Sequence, residues 1–167
     1  MSLVFVDCEA WGGCPRTGQL TEFGAVHYPS METFYGCIVK STPDPNNPAI
    51  PIPVGAPNQT HVTQTFIDFH TWLTKVCNGE RPVFVSDNPA FDWQWINDGF
   101  WTTMGMNPFG HSARRIGDFA AGLARDWKAQ SKWKRLRITK HDHNPVHDAI
   151  GNAEAFRALM NSIKETT

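Results

Sequence analysis

The chain has 167 residues, 41% hydrophobic and 19% charged, which fits one folded domain spanning 1–167 around a single sizeable core. No apolar run reaches the roughly 18 residues of a membrane span, and Met1 leads into a short apolar stretch without a basic region, so a membrane helix and a secretory signal are both unexpected and a cytoplasmic location is expected. The net charge is −1, yet nine of the fifteen Lys/Arg lie between residues 114 and 140 against only Asp118 and Asp126, a local +7 within an otherwise acidic chain; that division suits a protein holding cations at one place and a polyanion beside it.

Ser-Leu-Val-Phe-Val-Asp-Cys-Glu (2–9) reads as a buried strand that Trp11-Gly12-Gly13 breaks. Residues 20–28 and 33–40 are predicted as two more strands, joined by a turn at Pro29-Ser30, in an antiparallel meander. Residues 41–60 hold six prolines and no periodic pattern, and are predicted as a long ordered loop. Val62, Phe66, Phe69, Leu73 and Val76 share one face of a helix over 61–77. Pro82–Ser86 is a short buried strand. Asn88-Pro89 then opens a helix to about Phe100, with asparagine as its cap and proline in the first turn.

Further on, Ile116, Phe119, Leu123 and Trp127 mark an amphipathic helix capped by Ser112, with Trp127 expected in the core. Residues 128–143 are basic and irregular. Asn144-Pro145 opens the last helix, with Val146, Ile150, Ala153, Phe156 and Met160 on its buried face. The order strand, strand, strand, helix, strand, helix, helix, helix predicts an α/β sandwich with a mixed sheet. Cys8, Cys14, Cys37 and Cys77 show no paired spacing, which points to reduced thiols rather than disulfides or a zinc knuckle.

Three short motifs carry chemistry. Asp7 and Glu9 lie two apart on a strand, so both side chains share a face with alpha carbons about 6.5 Å apart. Two carboxylates ending a buried strand repel each other and lose hydration unless a cation sits between them. Asn88-Pro89-Ala90-Phe91-Asp92 and Asn144-Pro145-Val146-His147-Asp148 each set an aspartate about one turn inside a helix N-terminus, where it also complements the helix dipole. Each motif alone is compatible with a purely structural role.

In combination, Asp-x-Glu on the first strand, Asn-x-x-Phe-Asp opening a helix after a later strand, and His-x4-Asp-Ala opening the last helix resemble the DEDDh group of 3′→5′ exonucleases, closest to small stand-alone exoribonuclease-like proteins. Val4-Phe5-Val6-Asp7-Cys8-Glu9 and Glu22-Phe23-Gly24-Ala25-Val26 extend the match, which runs from about residue 3 to residue 160. One departure is Ala10-Trp11-Gly12-Gly13, where many relatives carry a Thr-Gly pair after the Asp-x-Glu. The resemblance implies an RNase H-like three-layer sandwich whose mixed central sheet is flanked by helices. It implies metal ligands at Asp7, Glu9, Asp92 and Asp148, with Asp7 bridging two Mg²⁺ ions for which Mn²⁺ substitutes. It implies a general base at His143, with His141 and His147 as fallback positions and His147 taken as structural. The chemistry is coherent, since magnesium takes oxygen ligands and keeps several waters, and two ions can activate water and stabilise a leaving 3′-oxygen.

The implied function is release of nucleoside 5′-monophosphates from the 3′ end of single-stranded RNA, or of short single-stranded DNA, with RNA favoured and a homodimer possible. Candidate substrate contacts are Trp11 (stacking on the terminal base), Gly12, Asn88, Phe91, Arg114 and Arg115. Trp127, Trp133 and the surrounding Lys/Arg offer a second stacking-and-phosphate surface. The main alternative is a proofreading-type exodeoxyribonuclease, and behind it a non-catalytic nucleic-acid-binding module of the same fold. A zinc hydrolase built on His141-Asp142-His143 fails on spacing, because Pro145 and Val146 stand where it needs aspartate and histidine.

Overall fold

The structure is a computed structural model that describes residues 2–164. Strand β1 (Ser2–Trp11) is buried at every position except its last, as a central strand covered on both faces must be. It pairs antiparallel with β2 (Gln19–Tyr28). The turn expected at Pro29-Ser30 then leads to β3 (Thr33–Cys37), also antiparallel. Two parallel strands complete the other half, β6 (Pro82–Ser86) beside β1 and β7 (Ala113–Arg115) beside β6. The sheet order is β3-β2-β1-β6-β7, the mixed sheet predicted, with β7 as an edge strand the sequence reading missed.

Two corrections concern connections. The proline-rich stretch 41–60 folds partly into a small antiparallel hairpin, β4 (Ser41–Pro43) with β5 (Pro51–Pro53). Prolines suit such an isolated edge pair, where few backbone donors are needed. Ser112 caps nothing: residues 113–115 continue as β7, and Arg115 is the cap residue of helix α3 (Ile116–Ala124).

Helix α1 (Gln59–Val76) is capped by Asn58, whose side chain accepts from His61 N–H, and buries Phe66, Phe69 and Leu73. Helix α2 (Pro89–Met104) ends at Gly105, whose left-handed φ of 68° stops it. These two helices cover one sheet face, packing on Val4, Val6 and Cys8 of β1 and on Phe23 of β2. Helices α3 and α4 (Pro145–Lys164) cover the opposite face, over Leu3, Phe5 and Val26. The alternation of β1 therefore sends residues 4, 6 and 8 to one layer and 3, 5, 7 and 9 to the other.

Trp127 and Trp133 exchange their expected roles. Helix α3 stops at Ala124 because Arg125 adopts a left-handed φ of 50°, so Trp127 leaves the apolar stripe and stands 68% exposed. A 3₁₀ segment (Trp127–Leu136) follows and turns Trp133 inward, leaving it 2% exposed in the core under α3 and α4. The basic stretch is thus ordered and partly buried.

The face that α4 turns to the sheet consists of small side chains, Ala149 and Ala153, while Val146, Ile150, Phe156 and Met160 are half-buried at its flanks. That lets the helix start come very close to β2. Gly24 lies opposite Asp7 in the ladder, and a β-carbon on it would meet the Pro145 carbonyl carbon and oxygen and the Val146 nitrogen well inside contact distance. Gly24→Ala should therefore push α4 away from β1 at a cost of about 1–3 kcal/mol, typical of overpacking. Gly13→Ala, which meets nothing within 4 Å, should be near neutral. Thermal unfolding of both variants checks this, and equal midpoints would show that α4 is not seated on Gly24.

Candidate active site

Leu3 and Phe5 anchor β1 in the core beneath α4, and the next two residues on that face are Asp7 and Glu9. They emerge where two helices begin. Asp148 sits in the first turn of α4 and is 1% exposed; Asp92 sits in the first turn of α2 and is 3% exposed. Both helix N-termini contribute partial positive charge there. The four acids far apart in sequence thus gather at one end of the sheet.

Asp7 belongs to two groups at once. Its carboxylate forms one cluster with Glu9 and Asp148 and another with Asp87 and Asp92, the contributed ligand atoms within each group lying within 4.8 Å of one another. Asp87 went unnoticed in the sequence. Its signal was available, an acid at the end of a buried strand immediately before the Asn-Pro helix start, but it falls outside the spacing of the resemblance.

Hydrogen bonds fix these carboxylates individually. Asp92 accepts from the Cys8 backbone N–H at 3.1 Å and from the Ser86 hydroxyl, which clamps it between β1 and β6. Asp148 accepts from Asp142 N–H through Oδ1 at 3.2 Å, while its buried Oδ2 has no hydrogen-bond partner. Asp87 pairs with Lys134 at 3.0 Å and Arg137 at 3.4 Å.

Burial and mutual repulsion leave the acids inclined to hold protons. Burial first, then the charges of Asp92, Asp148, Asp87 and Glu9, pushes Asp7 well above the usual carboxylate range. Burial, then Asp148, Glu22 and Asp92, raises Glu9 to about 8. Burial raises Asp92 to about 7, against the downward pull of the Ser86 hydrogen bond. Such a set of oxygen donors, short of counter-charge, fits hard divalent cations.

Asp7, Glu9, Asp87 and Asp92 floor a cleft of about 530 Å³, while Asp148, 1% exposed, lies outside its lining but within reach of Asp7 and Glu9. Gly12, Asn88 and Phe91, three of the expected substrate contacts, line it, as do His141 and His143. Asn88 does not cap α2 with its side chain as expected; its backbone N–H donates to Ser86 Oγ instead, and only its carbonyl accepts from the first turn. Phe91 is half-buried and packs edge-on against Trp95. Trp11 lies next to Gly12 at the end of β1 and is exposed, but is not part of the cleft wall. Ala49 and Ile50, from the β4–β5 hairpin, also line the cleft and were not anticipated.

Arg114 and Arg115 are not in the cleft. They border a separate apolar groove along β7, and Arg115 is occupied by Asp118, Gln130 and the Asp87 carbonyl. Strand β7 turns them along the sheet edge, away from the cleft that the acids line.

All three histidines of the last motif lie near the acids, in different settings. His147 pairs with Asp142 at 2.9 Å and is not part of the acid clusters. His143, in a left-handed conformation with φ 62°, sits 3.7 Å from Glu9. His141 lies closer to an acid than expected, its Nδ1 2.6 Å from Asp148 Oδ2.

No family model matches the chain. It is 29% identical over 168 residues to the 3′-5′ DNA exonuclease Cap18 of Escherichia coli, covering 93% of this chain and 90% of that protein. Among solved structures, the zinc-ion-bound form of the E. coli ExoI–ssDNA complex aligns with a TM-score of 0.55 at 15% identity, over 99% of this chain and 41% of that one. E. coli ExoI in complex with a dA16 oligonucleotide aligns with a TM-score of 0.55 at 14% identity, over 96% and 41%. The chain spans about two fifths of the ExoI chains, and the likeness to them is one of fold. The sequence relationship to Cap18, together with the RNase H-like fold shared with ExoI, supports the DEDDh-type 3′→5′ exonuclease superfamily that the motifs resemble.

Proposed function

We propose that the chain, as one exonuclease domain over 1–167, shortens single-stranded DNA from its 3′ end and releases nucleoside 5′-monophosphates, using two divalent ions, Mg²⁺ with Mn²⁺ as a substitute. The observation that carries this reading is the pair of three-carboxylate groups sharing Asp7, which itself lines the cleft with Glu9, Asp87 and Asp92. DNA replaces the RNA preference expected earlier, since the relative at 29% identity is named a DNA exonuclease and the ExoI neighbours hold single-stranded DNA. These comparisons lend no support to RNA preference or to a homodimer. No helix among the described residues is long and apolar enough to cross a membrane.

In this proposal Asp7, Glu9 and Asp148 would hold one ion, and Asp7, Asp87 and Asp92 would hold the other. When bound, the ions supply positive charge for the scissile phosphate and the leaving 3′-oxygen. His143 would accept a proton from the attacking water. The water oxygen would bond to phosphorus as the phosphorus–3′-oxygen bond breaks, and the leaving 3′-oxygen would take a proton from solvent, so that the shortened strand ends in a 3′-hydroxyl and the released nucleotide carries the phosphate. Phe91, Asn88 and Gly12 would orient the terminal nucleotide, with Trp11 beside them as a platform for its base. The decisive assay incubates purified protein and Mg²⁺ with 5′-labelled DNA and RNA oligonucleotides. Stepwise shortening of DNA, abolished by chelation, is expected; full activity after exhaustive chelation would eliminate the metal-ion mechanism.

Asp7→Asn should lower cleavage at least about 10²–10³-fold, the scale of losing one electrostatic stabiliser. It should leave the chelated protein as stable as wild type or more so, because it relieves repulsion. A clear drop in its unfolding midpoint in chelator would mark Asp7 as structural. His143→Ala should cost about 10²–10⁴-fold, the range for a general base, and far more than His141→Ala or His147→Ala. Comparable losses in all three would remove the base from His143.

The raised carboxyls also make a pH prediction. Glu9 near 8 and Asp92 near 7 compare with about 4 for free carboxylic acids. Between about pH 4 and 8 the metal-free folded protein binds protons that the unfolded chain has released. Its stability is therefore full at the acid end of that window and falls as pH rises. Cations replace those protons, so the stabilisation by Mg²⁺ should grow from pH 5 to pH 8 and its binding should release protons. Unfolding midpoints with chelator and with Mg²⁺ at both pH values check the sign; a Mg²⁺ effect larger at pH 5 would contradict it.

A further inference from the structure

The carboxylate groups do not account for everything at the start of α4. His141, His143 and Asp148 form a third group whose ligand atoms lie within 4.8 Å of one another. Asp148 belongs to both kinds of cluster, but the other donors differ, being two imidazole nitrogens instead of oxygens.

The local build leaves these three groups facing one another. Asp142, between the two histidines in sequence, is turned away, since its carboxylate accepts from Asn144 N–H at 3.0 Å and meets His147 at 2.9 Å. Its backbone N–H satisfies Asp148 Oδ1. Asp148 Oδ2 is left buried and without a hydrogen bond, although His141 Nδ1 is only 2.6 Å away. The two are within ion-pair distance without a hydrogen bond, so an imidazole nitrogen and a buried carboxylate oxygen stand side by side as donors for one cation. The two rings lie 4.4 Å apart and stand edge to face. Both are about half exposed, and their side chains would have to turn inward from the present spacing to reach the bond lengths of about 2.0–2.1 Å that zinc requires.

The strap carrying the histidines is itself held in place. Glu154 of α4 accepts from Ile138 N–H at 3.1 Å and Thr139 N–H at 2.7 Å. Gly151 lets the Thr139 carbonyl rest against the helix, where a β-carbon would come within 2.7 Å of it.

We infer that His141, His143 and Asp148 form a binding site for a transition-metal ion of the zinc class, and that an ion held there stops cleavage. The donor set sets the class: imidazole suits zinc, copper and nickel, while magnesium keeps to oxygen and water. Occupation would engage His143, the proposed base, and Asp148, a proposed ligand of the catalytic ions. Zinc at this position therefore opposes magnesium instead of replacing it. The inhibitory half of the inference rests on the exonuclease reading; the binding half does not.

The test uses Co²⁺ as the spectroscopic probe for the zinc class, added to full-length, chelator-treated protein in excess Mg²⁺. Visible absorption of low-coordinate Co²⁺ should appear and be displaced by Zn²⁺. His141→Ala should weaken Co²⁺ binding at least about tenfold, the lower bound for losing even an outer partner of a metal site, while His147→Ala should not. In the cleavage assay, with each variant compared with its own zinc-free rate, His141→Ala should raise the Zn²⁺ concentration for half inhibition by the same factor. Equal Co²⁺ affinity in wild type and His141→Ala would overturn the site. Zinc inhibition unaffected by His141→Ala would overturn its regulatory part. A wild-type protein that binds Co²⁺ through His141 but cleaves no oligonucleotide in any metal would sustain the site and sink the exonuclease reading instead.

Discussion

Repulsion among buried carboxylates is the constraint around which this molecule is arranged. Two charges about 5 Å apart at an effective dielectric of about 20 repel by roughly 3 kcal/mol, and Asp7 has four acidic neighbours close enough to raise its proton affinity. The helix N-termini of α2 and α4 each return only about 0.3–1 kcal/mol. Backbone and hydroxyl donors at Asp92 and Asp148 add a further, similar amount. The fixed parts of the protein therefore position the acids without neutralising them, and mobile charge, protons or cations, has to complete the site.

The basic segment enters this balance in an unexpected way. Lys134 and Arg137 reach back to Asp87, and Arg137 is also held by Asn152 of α4 and lies 5.0 Å over the Trp133 ring. Part of the local +7 is thus spent inside the protein, tying the 3₁₀ segment to the acidic end of the sheet. A charge run identifies a region where anions gather, but those anions include the chain's own carboxylates. Trp133 has the same lesson for aromatic residues, since the ring that looked like a stacking surface is the buried support of an ion pair.

How far the sequence could be read depends on how local each signal is. Asp7 and Glu9 on one strand face, and Asp92 and Asp148 inside Asn-Pro helix starts, follow from neighbours within five residues, and the structure brings all four together. Helix α1 and the meander were legible for the same reason. The failures are non-local. Strand β7 is three residues long and exists because β6 offers it a parallel edge. The Trp127–Trp133 exchange depends on one left-handed residue, Arg125. Asp87 joins the site only because β6 ends beside β1, and Ile50 only because the proline-rich hairpin folds over the cleft. No periodicity announces such contacts.

The sign of the site's charge links metal loading to substrate capture. Asp7, Glu9, Asp87, Asp92 and Asp148 would carry five negative charges if fully ionised, while Lys134 and Arg137 return two. A DNA end approaching that cleft meets repulsion, and protonation relieves it without making the cleft attractive. On the proposed reading, two divalent ions would add four positive charges, and the balance would pass through zero to favour a phosphate. The apolar wall of Phe91, Ala49 and Ile50 then faces an electropositive floor, a polarity that matches a terminal nucleotide, with its apolar ring face and anionic backbone. On the reading proposed here, the ions act first as the electrostatic receptor for the strand and only then in its cleavage, so affinity for substrate and catalytic competence rise with the same loading step.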